Sequence, residues 1–387
     1  MVQGPLSGVT VVDMTRVLAG PYCTMMLYDL GARVIKVETP QKGDDSRHIG
    51  PFINGKSAYF MSLNRGKQSV ALDLKAEQDR ELFEALLERA DVLVENYRPG
   101  VMERLGYGWD ALHAQYSRLI YAAASGFGHT GPYAERPAYD MVVQAMGGLM
   151  SITGQPDGKP TRVGSSIGDI TAGLFTVAGV NAALYRRVHS GVGMKIDVAM
   201  LDCQVAILEN AIARYCASGE VPGPIGARHP SITPFEAFAT KDGHVIVAAG
   251  NDGLFKTLCD ATGNTNLEQD DRFRTNDLRT QYHVELKAIL DPSFAAKSTQ
   301  QWLDILASAG IPCGPINNIA EVLDDPQVRA RNMVVSVEDA VAGRVRMAGN
   351  PIKMSEFDDP DGRAAAPDLD ADRAAIIAEF FDPTPLA

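Results

Sequence analysis

The sequence predicts an α/β protein in which a doubly wound parallel sheet precedes a smaller α+β block. Short β-branched segments alternate with segments of helical apolar spacing through the amino-terminal part of the chain, which is typical of a parallel sheet covered by helices on both faces. A stretch rich in glycine and proline over residues 218–230 then marks a domain boundary. Beyond it, two strands around a Lys-Asp-Gly turn lead into a series of helices, which is typical of an α+β domain.

The individual elements are predicted from hydrophobic periodicity and from the glycines and prolines that interrupt it. The longest uncharged apolar segment, 170–185, is shorter than the ~18–20 residues needed to cross a bilayer, so we expect a buried helix there. The predicted strands span 8–13, 32–38, 91–95, 118–124 and 195–199, with two more in 235–249 and one in 344–351. The predicted helices span 20–30, 81–90, 139–150, 170–187, 201–217, 252–261, 284–290, 299–309 and 374–381.

The composition excludes several classes of protein. The 387 residues are 45% hydrophobic and 22% charged, which is typical of a soluble globular chain. A net charge of −12 repels phosphate, so we expect neither nucleic acid nor an anionic membrane as a partner. The five cysteines are widely spaced and form no CxxC pair, and the amino terminus lacks the pattern of a signal peptide. These features predict a cytoplasmic location without a disulfide framework or a metal site.

Motifs of several common chemistries are missing from the sequence. No GxGxxG follows the first predicted strand, and neither a Walker A loop nor a GxSxG nucleophile elbow occurs. The seven histidines include no HExxH pair. A dinucleotide-dependent dehydrogenase, a P-loop enzyme, a serine hydrolase of this type and a metallohydrolase are therefore not expected.

One carboxylate has an unusual setting. Asp169 lies in the segment 164–173 (GSSIGDITAG), in or near the first turn of the long apolar helix and between glycines that leave it accessible. The helix dipole and the free amides of that turn favour the ionised form of its side chain. The commoner interpretation is an ordinary residue of a helix amino terminus, and the alternative is a nucleophilic carboxylate. The residues alone leave both open.

Several segments carry a family resemblance through their order and spacing rather than singly. They are 16–23 (RVLAGPYC), 31–38 (GARVIKVE), 43–47 (GDDSR), 63–75 (LNRGKQSVALDLK), 91–100 (DVLVENYRPG), 137–150 (PAYDMVVQAMGGLM), 164–169 (GSSIGD), 197–202 (DVAMLD) and 310–317 (GIPCGPIN). With these segments the chain resembles the class III CoA-transferases, the CaiB/BaiF family, over nearly its whole length.

The resemblance implies an acyl-CoA:carboxylate CoA-transferase in which Asp169 is the nucleophile. Asp169 would attack the thioester of a donor acyl-CoA to form a mixed anhydride, then an aspartyl-CoA thioester, from which CoA passes to an acceptor carboxylic acid. The CoA thioester would be a substrate, with no tightly bound cofactor. The resemblance also suggests residues that contact CoA or lie beside the site, and for each basic one the alternative is a solvated surface charge. They are Arg16, Arg47, Leu72, Lys75, Asn96, Tyr97, Arg104, Tyr139 and Asp140.

The resemblance implies an architecture as well. A Rossmann-like large domain would comprise residues 1–220 and a returning carboxy-terminal segment, 326–387. A small α+β domain, 225–325, would be inserted between them. Two such chains would interlock as a homodimer.

Two other functions remain open. An α-methylacyl-CoA racemase, or another CoA-ester isomerase or dehydratase of the family, needs a base that titrates near neutrality where this chain has Tyr139, and a phenol ionises only in alkaline solution. That residue favours transfer. A catalytically inactive CoA-binding protein would keep the fold, but the intact surroundings of Asp169 argue against it. Leu18 stands where family members that act on oxalate carry a polar amide, which argues against oxalate or formyl-CoA specificity.

Overall fold

The structure is a computed structural model that describes residues 3–381, and this part of the chain forms two compact units. The first unit comprises residues up to 150, residues 162–220 and residues from 326 onward, and the second comprises 151–161 and 221–325. The sequence had placed 151–161 in the large domain. The segment belongs to the second unit instead, where the Gly226 amide donates a hydrogen bond to the carbonyl of Gly154 at 2.9 Å.

The first unit is built on a parallel sheet that has six strands within the described residues, in the order β5-β2-β1-β6-β7-β8. The chain runs outward from β1 through β2 to β5 and then returns to place β6 on the other side of β1, so the sheet is doubly wound as predicted. The strands are β1 Thr10–Asp13, β2 Arg33–Glu38, β3 Phe52–Ile53, β4 Lys56–Ser57, β5 Gln68–Ala71, β6 Val92–Glu95, β7 Ile120–Ser125, β8 Lys195–Ala199, β9 Phe235–Ala239, β10 His244–Ala248, β11 Cys313–Pro315, β12 Val334–Asp339, β13 Gly343–Ala348 and β14 Gly362–Arg363.

The helices account for most of the remaining regular structure. They are α1 Ala19–Asp29, α2 Ala58–Asn64, α3 Glu77–Arg89, α4 Val101–Leu105, α5 Trp109–Gln115, α6 Asp140–Met146, α7 Leu149–Ile152, α8 Ile167–Ser190, α9 Met200–Ile207, α10 Glu209–Ser218, α11 Asp252–Thr262, α12 Asn276–Gln281, α13 His283–Ala295, α14 Thr299–Ser308, α15 Ile319–Asp324, α16 Pro326–Ala330 and α17 Arg373–Phe381. The prediction of a single helix over 139–150 is wrong. The segment is divided into α6 and α7, because Gly148 adopts φ +84° and a helix cannot continue through it. The helix predicted over 201–217 is likewise divided, at Leu208, into α9 and α10.

The central strands are covered on both faces. Residues 11–13 of β1 and all of β6 are buried, and neighbours along each strand enter different cores because their side chains alternate across the sheet. Val12 and Leu93 pack with the buried face of α3, whereas Val11 and Val92 pack with α1 and α8. This packing explains why these strands are nearly continuous apolar runs in the sequence.

Helix α8 is longer than predicted. Its 24 residues are long and apolar enough to cross a membrane by length and composition, so the expectation that this segment is too short does not hold. Half of its most apolar window is buried inside the protein. Val177, Val180 and Leu184 pack into the core against the sheet, and a Cβ on Gly173 would lie only 2.8 Å from the carbonyl oxygen of Ala19 in α1. The helix therefore packs as a core element of the first unit.

The second unit has a three-stranded antiparallel sheet in the order β11-β10-β9. Helices α11, α13 and α14 contribute to its core, together with Phe238 and Val245 from the sheet. At its centre the buried Trp302 donates its indole N–H to the carbonyl oxygen of Phe294 at 2.8 Å. The predicted hairpin and the helices that follow it are present, with shifts of a few residues at their ends. The largest difference is at α13, which extends beyond the helix predicted over 284–290.

Candidate active site

The loops after β1, β6 and β7 meet at the edge of the sheet where the strand order reverses. Open α/β sheets bind ligands in the crevice at this point, outside the carboxyl ends of the strands. A cavity of about 230 Å³ lies there in the first unit. Of the residues that the sequence suggested, its lining includes Arg16, Asn96, Tyr97, Tyr139 and Asp169.

Asp169 is placed by close packing at the start of α8. A Cβ on the preceding Gly168 would lie 2.7 Å from Val143 and 3.0 Å from a carboxylate oxygen of Asp140, so glycine is needed for this approach of α6 to α8. Asp140 accepts hydrogen bonds from the Gly168 amide at 2.8 Å and from the Gln144 side chain at 2.7 Å. Asp140 therefore positions the turn that carries Asp169.

Burial, together with the neighbouring Asp140 carboxylate, raises the pKa of Asp169 to about 7. The sequence argument expected the opposite direction, because a helix amino terminus favours a carboxylate. The loss of hydration and the like charge outweigh that effect here. Perturbed carboxyl groups in clefts are often functional, and Asp169 combines this perturbation with a place in a ligand crevice.

This pKa predicts how the activity depends on pH. If Asp169 must be ionised to react, kcat/KM rises with pH, by about tenfold per unit below pH 7, and levels off above it. Asp140→Asn removes the like charge and is expected to move the midpoint to lower pH. Rates measured between pH 5.5 and about 9 with both proteins test this. A flat profile, or an unchanged midpoint in the variant, would contradict it.

The side chain of Asn96 forms hydrogen bonds with the protein backbone. Its amide group accepts a hydrogen bond from the Arg16 N–H and donates one to the Arg16 carbonyl oxygen, both at 2.8 Å. The Arg16 guanidinium lies 5.1 Å from the centre of the Tyr97 ring and 3.3 Å from Asp45. Asn96 thus joins the loops after β1 and β6 and fixes the rim of the cavity.

A second cavity, of about 840 Å³, shares Tyr97 with the first as a lining residue. Leu72 and Lys75 line it, as does the carboxy-terminal segment through Leu369, Asp370 and Arg373. No sequence pattern assigned this segment to the site. It is attached to the sheet edge because Asp370 accepts the amide hydrogen of Ala71 at 2.7 Å.

Two of the suggested cations lie elsewhere. Arg104 is exposed and is not among the residues that line either cavity. The guanidinium of Arg47 binds Glu38 at 2.6 Å and lies 3.8 Å from the centre of the Phe60 ring, so it is engaged in internal contacts. The structure does not bring either residue to the crevice.

Other residues of the crevice were not anticipated. Ser125, Arg98 and Arg136 line the smaller cavity. The rule that ligands bind at the carboxyl ends of parallel strands could have suggested Ser125, which ends β7, and Arg98, which follows β6. Burial, followed by the charge of Asp169, raises the pKa of Tyr59 to about 12, so this phenol lies within electrostatic range of the carboxylate, and no sequence pattern indicates it. Among residues 3–381 no group of three or more His, Cys, Asp or Glu side chains could hold a metal ion.

Fold and site together define an α/β enzyme with a half-buried carboxylate at the switch point of a doubly wound sheet. Residues 6–373 match the profile of CoA-transferase family III, and the chain belongs to that family. It is 41% identical to a CaiB/BaiF family protein from Brucella suis whose crystal structure superposes with a TM-score of 0.86, covering 97% of this chain and 99% of that one. The resemblance found in the sequence is confirmed.

Two relatives indicate the class of reaction. The chain is 47% identical to acetyl-CoA:oxalate CoA-transferase of Acetobacter aceti, over 98% of this chain and 97% of the relative. It is 39% identical to succinate–glutarate CoA-transferase of Agrobacterium fabrum, over 97% and 96%. These names confirm that the chain is a CoA-transferase, and they support transfer between an acyl-CoA and a carboxylate over racemisation or an inactive fold.

Proposed function

We propose that this chain transfers CoA from an acyl-CoA to a small dicarboxylic acid through covalent intermediates on Asp169. The observation that carries the proposal is the position of Asp169, a carboxylate with a pKa near 7 in the crevice where α/β sheets bind ligands. A carboxylate is suited to this reaction because its anhydride with the acyl group is activated, so each exchange is nearly isoenergetic.

The proposed reaction has four steps. An oxygen of Asp169 attacks the thioester carbonyl, the C–S bond breaks, and CoA leaves as the thiolate. The thiolate attacks the aspartyl carbonyl of the anhydride, which releases the donor acid and leaves an aspartyl-CoA thioester. A carboxylate oxygen of the acceptor attacks that thioester and expels the thiolate again. The thiolate then attacks the acceptor's acyl carbonyl, which forms the new acyl-CoA and restores the Asp169 carboxylate.

The two cavities suit the two ends of CoA. We place the adenine and phosphate end in the larger cavity, where Leu72 offers an apolar wall and Lys75 offers a positive charge. The pantetheine arm would pass Tyr97, which lines both cavities, and bring the thioester to Asp169. A few placed cations can thus bind an anionic substrate on a chain whose net charge is −12.

Lys75→Ala tests the placement of CoA. Removing a cation from a phosphate is expected to raise KM for the acyl-CoA about tenfold while kcat changes little, because the contact is made equally in the ground and transition states. The effect should shrink as salt concentration rises. Lys256→Ala, at an exposed lysine of the second unit, is the control. Equal KM values for the two variants would remove Lys75 from the CoA site.

The relatives guide the choice of acceptor. Their names include oxalate, succinate and glutarate, all dicarboxylic acids. Arg16, Arg98 and Arg136 line the cavity of Asp169 and could hold a second carboxylate. Leu18 lines the same cavity without a polar group to offer, yet the relative named for oxalate is 47% identical to this chain. Oxalate therefore belongs among the acceptors to be tested.

The experiment supplies one acyl-CoA and a panel of mono- and dicarboxylic acids and detects new acyl-CoA esters by mass spectrometry. Transfer restricted to dicarboxylic acids supports the proposal, and transfer to monocarboxylic acids alone would contradict the acceptor class. Exchange of deuterium at the α-carbon without any transfer would point to the racemase instead.

The proposal extends to assembly and location. Large apolar side chains are exposed on α8, including Tyr185 at 71% and Val188 at 79% exposure. Phe175 on the same helix and Tyr215 on α10 are also exposed. A second copy of the chain would cover them, which fits the interlocked homodimer implied by the family resemblance. The mass of the intact assembly by native mass spectrometry tests this.

The five cysteines are unpaired, in keeping with a cytoplasmic location.

A further inference from the structure

A strained residue lies in the wall of the cavity that contains Asp169. Val17 has φ +67°, in the left-handed region, where a β-branched residue is a genuine outlier. It belongs to the loop between β1 and α1, and with its neighbours Arg16 and Leu18 it lines the cavity. Such a conformation persists only where the surrounding structure enforces it, and this kind of strain is concentrated at functional sites.

A buried ion pair holds the loop from one side. Asp44 accepts the amide hydrogen of Val17 at 3.1 Å, and its other carboxylate oxygen lies 2.9 Å from the ammonium of Lys36. Lys36 also donates to the carbonyl oxygen of Thr15 at 2.7 Å. Neither charged side chain is exposed to solvent. The oxygen that faces Val17 also accepts hydrogen bonds from the amide and the hydroxyl of Ser46 at 2.8 and 2.7 Å. With its other oxygen bound to the buried Lys36, the carboxylate is held in one orientation toward Val17.

Asn96 holds the same loop from the other side through the N–H and the carbonyl of Arg16. The carbonyl of Thr15, both backbone groups of Arg16 and the amide of Val17 are thus each bound by a side chain from elsewhere in the fold. The β-sheet does not require these contacts, because β1 already ends at Asp13.

We propose that Asp44, oriented by Lys36, is a positioning residue for CoA transfer. It keeps Val17 in the left-handed conformation and so sets where Arg16 and Leu18 stand in the cavity of Asp169. The inference rests on the proposed function of Asp169. Without the Asp44 acceptor, Val17 would relax toward negative φ, and Arg16 and Leu18 in the cavity wall would move.

The first test is Asp44→Asn, which keeps the shape of the side chain. Val17 and Lys36 bind different oxygens of Asp44, so an amide, which has a single oxygen, must present its NH₂ group to one of them. The control is Asp29→Asn, which makes the same change in the buried Arg65–Asp29 pair away from the cavity, where the side chains are 2% and 4% exposed. Both variants are expected to unfold at lower temperature. Assayed where both remain folded, Asp44→Asn should lower kcat/KM at least about tenfold and Asp29→Asn less than about twofold.

The second test asks whether Asp44 acts through Val17. Glycine adopts φ +67° without steric cost, so a loop with Val17→Gly no longer needs to be forced into place. In that background the additional effect of Asp44→Asn is expected to fall to about threefold or less, a coupling that a double-mutant cycle measures. Equal losses from Asp44→Asn in both backgrounds would overturn the inference. If transfer survives Asp169→Asn, the proposed function fails instead, so the two failures are distinguishable.

Discussion

Asp169→Asn is expected to abolish CoA transfer, with kcat falling by about 10⁴-fold or more, because the amide cannot form the anhydride. The folded protein should be at least as stable as the parent at pH 8. The raised pKa of Asp169 means that its ionised form is disfavoured by burial and by Asp140. Below the carboxyl's ordinary pKa of 3.8, Asp169 is neutral in both the folded and the unfolded protein and costs no stability. As the pH rises from there through about 7, the free energy of unfolding falls, because the unfolded protein ionises this carboxyl more readily. The Asp169→Asn side chain stays neutral at every pH, so the variant does not lose this part of the free energy of unfolding.

New acyl-CoA esters detected by mass spectrometry measure the activity, and thermal unfolding measures the stability. Hydroxylamine added during turnover should leave a hydroxamate on Asp169 of the parent protein and none on the variant. Asp202→Asn is the matched control, since Asp202 also lies in the first turn of its helix, α9, and is exposed. Transfer retained by the Asp169 variant, or a hydroxamate on another residue, would exclude the proposed nucleophile.

Asp13→Ala is expected to lower the free energy of unfolding by about 4 kcal/mol, because it leaves the buried ammonium of Lys67 without its carboxylate partner. Asp13 is fully buried at the end of β1 and binds the ammonium of Lys67 at 2.9 Å. It also accepts hydrogen bonds from Thr15 and Thr24, and the nearby lysines hold its pKa well below the usual range despite burial. Burial in turn lowers the pKa of Lys67 to about 8.

The free energy of unfolding in urea measures this loss. Asp271→Ala provides the control, because Asp271 pairs with Arg274 at 3.0 Å on the surface, where both side chains are largely exposed. Exposed pairs of this kind contribute less than about 1 kcal/mol. Similar losses for the two variants would show that the buried cluster is not the stabilising unit we describe.

Much of the fold could be predicted from local patterns. Strands β1, β2 and β6 are apolar runs because parallel strands are buried on both faces, and α3 carries an amphipathic repeat. The edge strand β5 was missed because its sequence, QSVA, contains a single β-branched residue, whereas β1 and β6 are β-branched runs of the same length. The division between α6 and α7 was also missed, since a glycine with positive φ cannot be distinguished in sequence from a tolerated helical glycine.

The candidate site was only partly accessible to the same reasoning. Asp169 attracts notice through its glycine neighbours and its place at the start of an apolar helix, but its pKa depends on burial and then on Asp140, which is distant along the chain. The sign of that shift could not be read locally, because the helix amino terminus and burial act in opposite directions. Asn96 and Arg16 are separated by 80 positions, and only the pairing of β1 with β6 brings them together.

The sequence by itself determined the class of fold and, through its family resemblance, the CoA-transferase family, and it singled out Asp169 as the nucleophile that we propose. These features depend on residue type and spacing along the chain, which short-range patterns record. Only the tertiary structure decided which cations face the crevice, that Arg373 and Asp370 of the carboxy-terminal segment complete the larger cavity, and that Asp44 restrains Val17. Those outcomes depend on contacts between distant segments and on the loss of water around charges, and both exist only once the chain has folded.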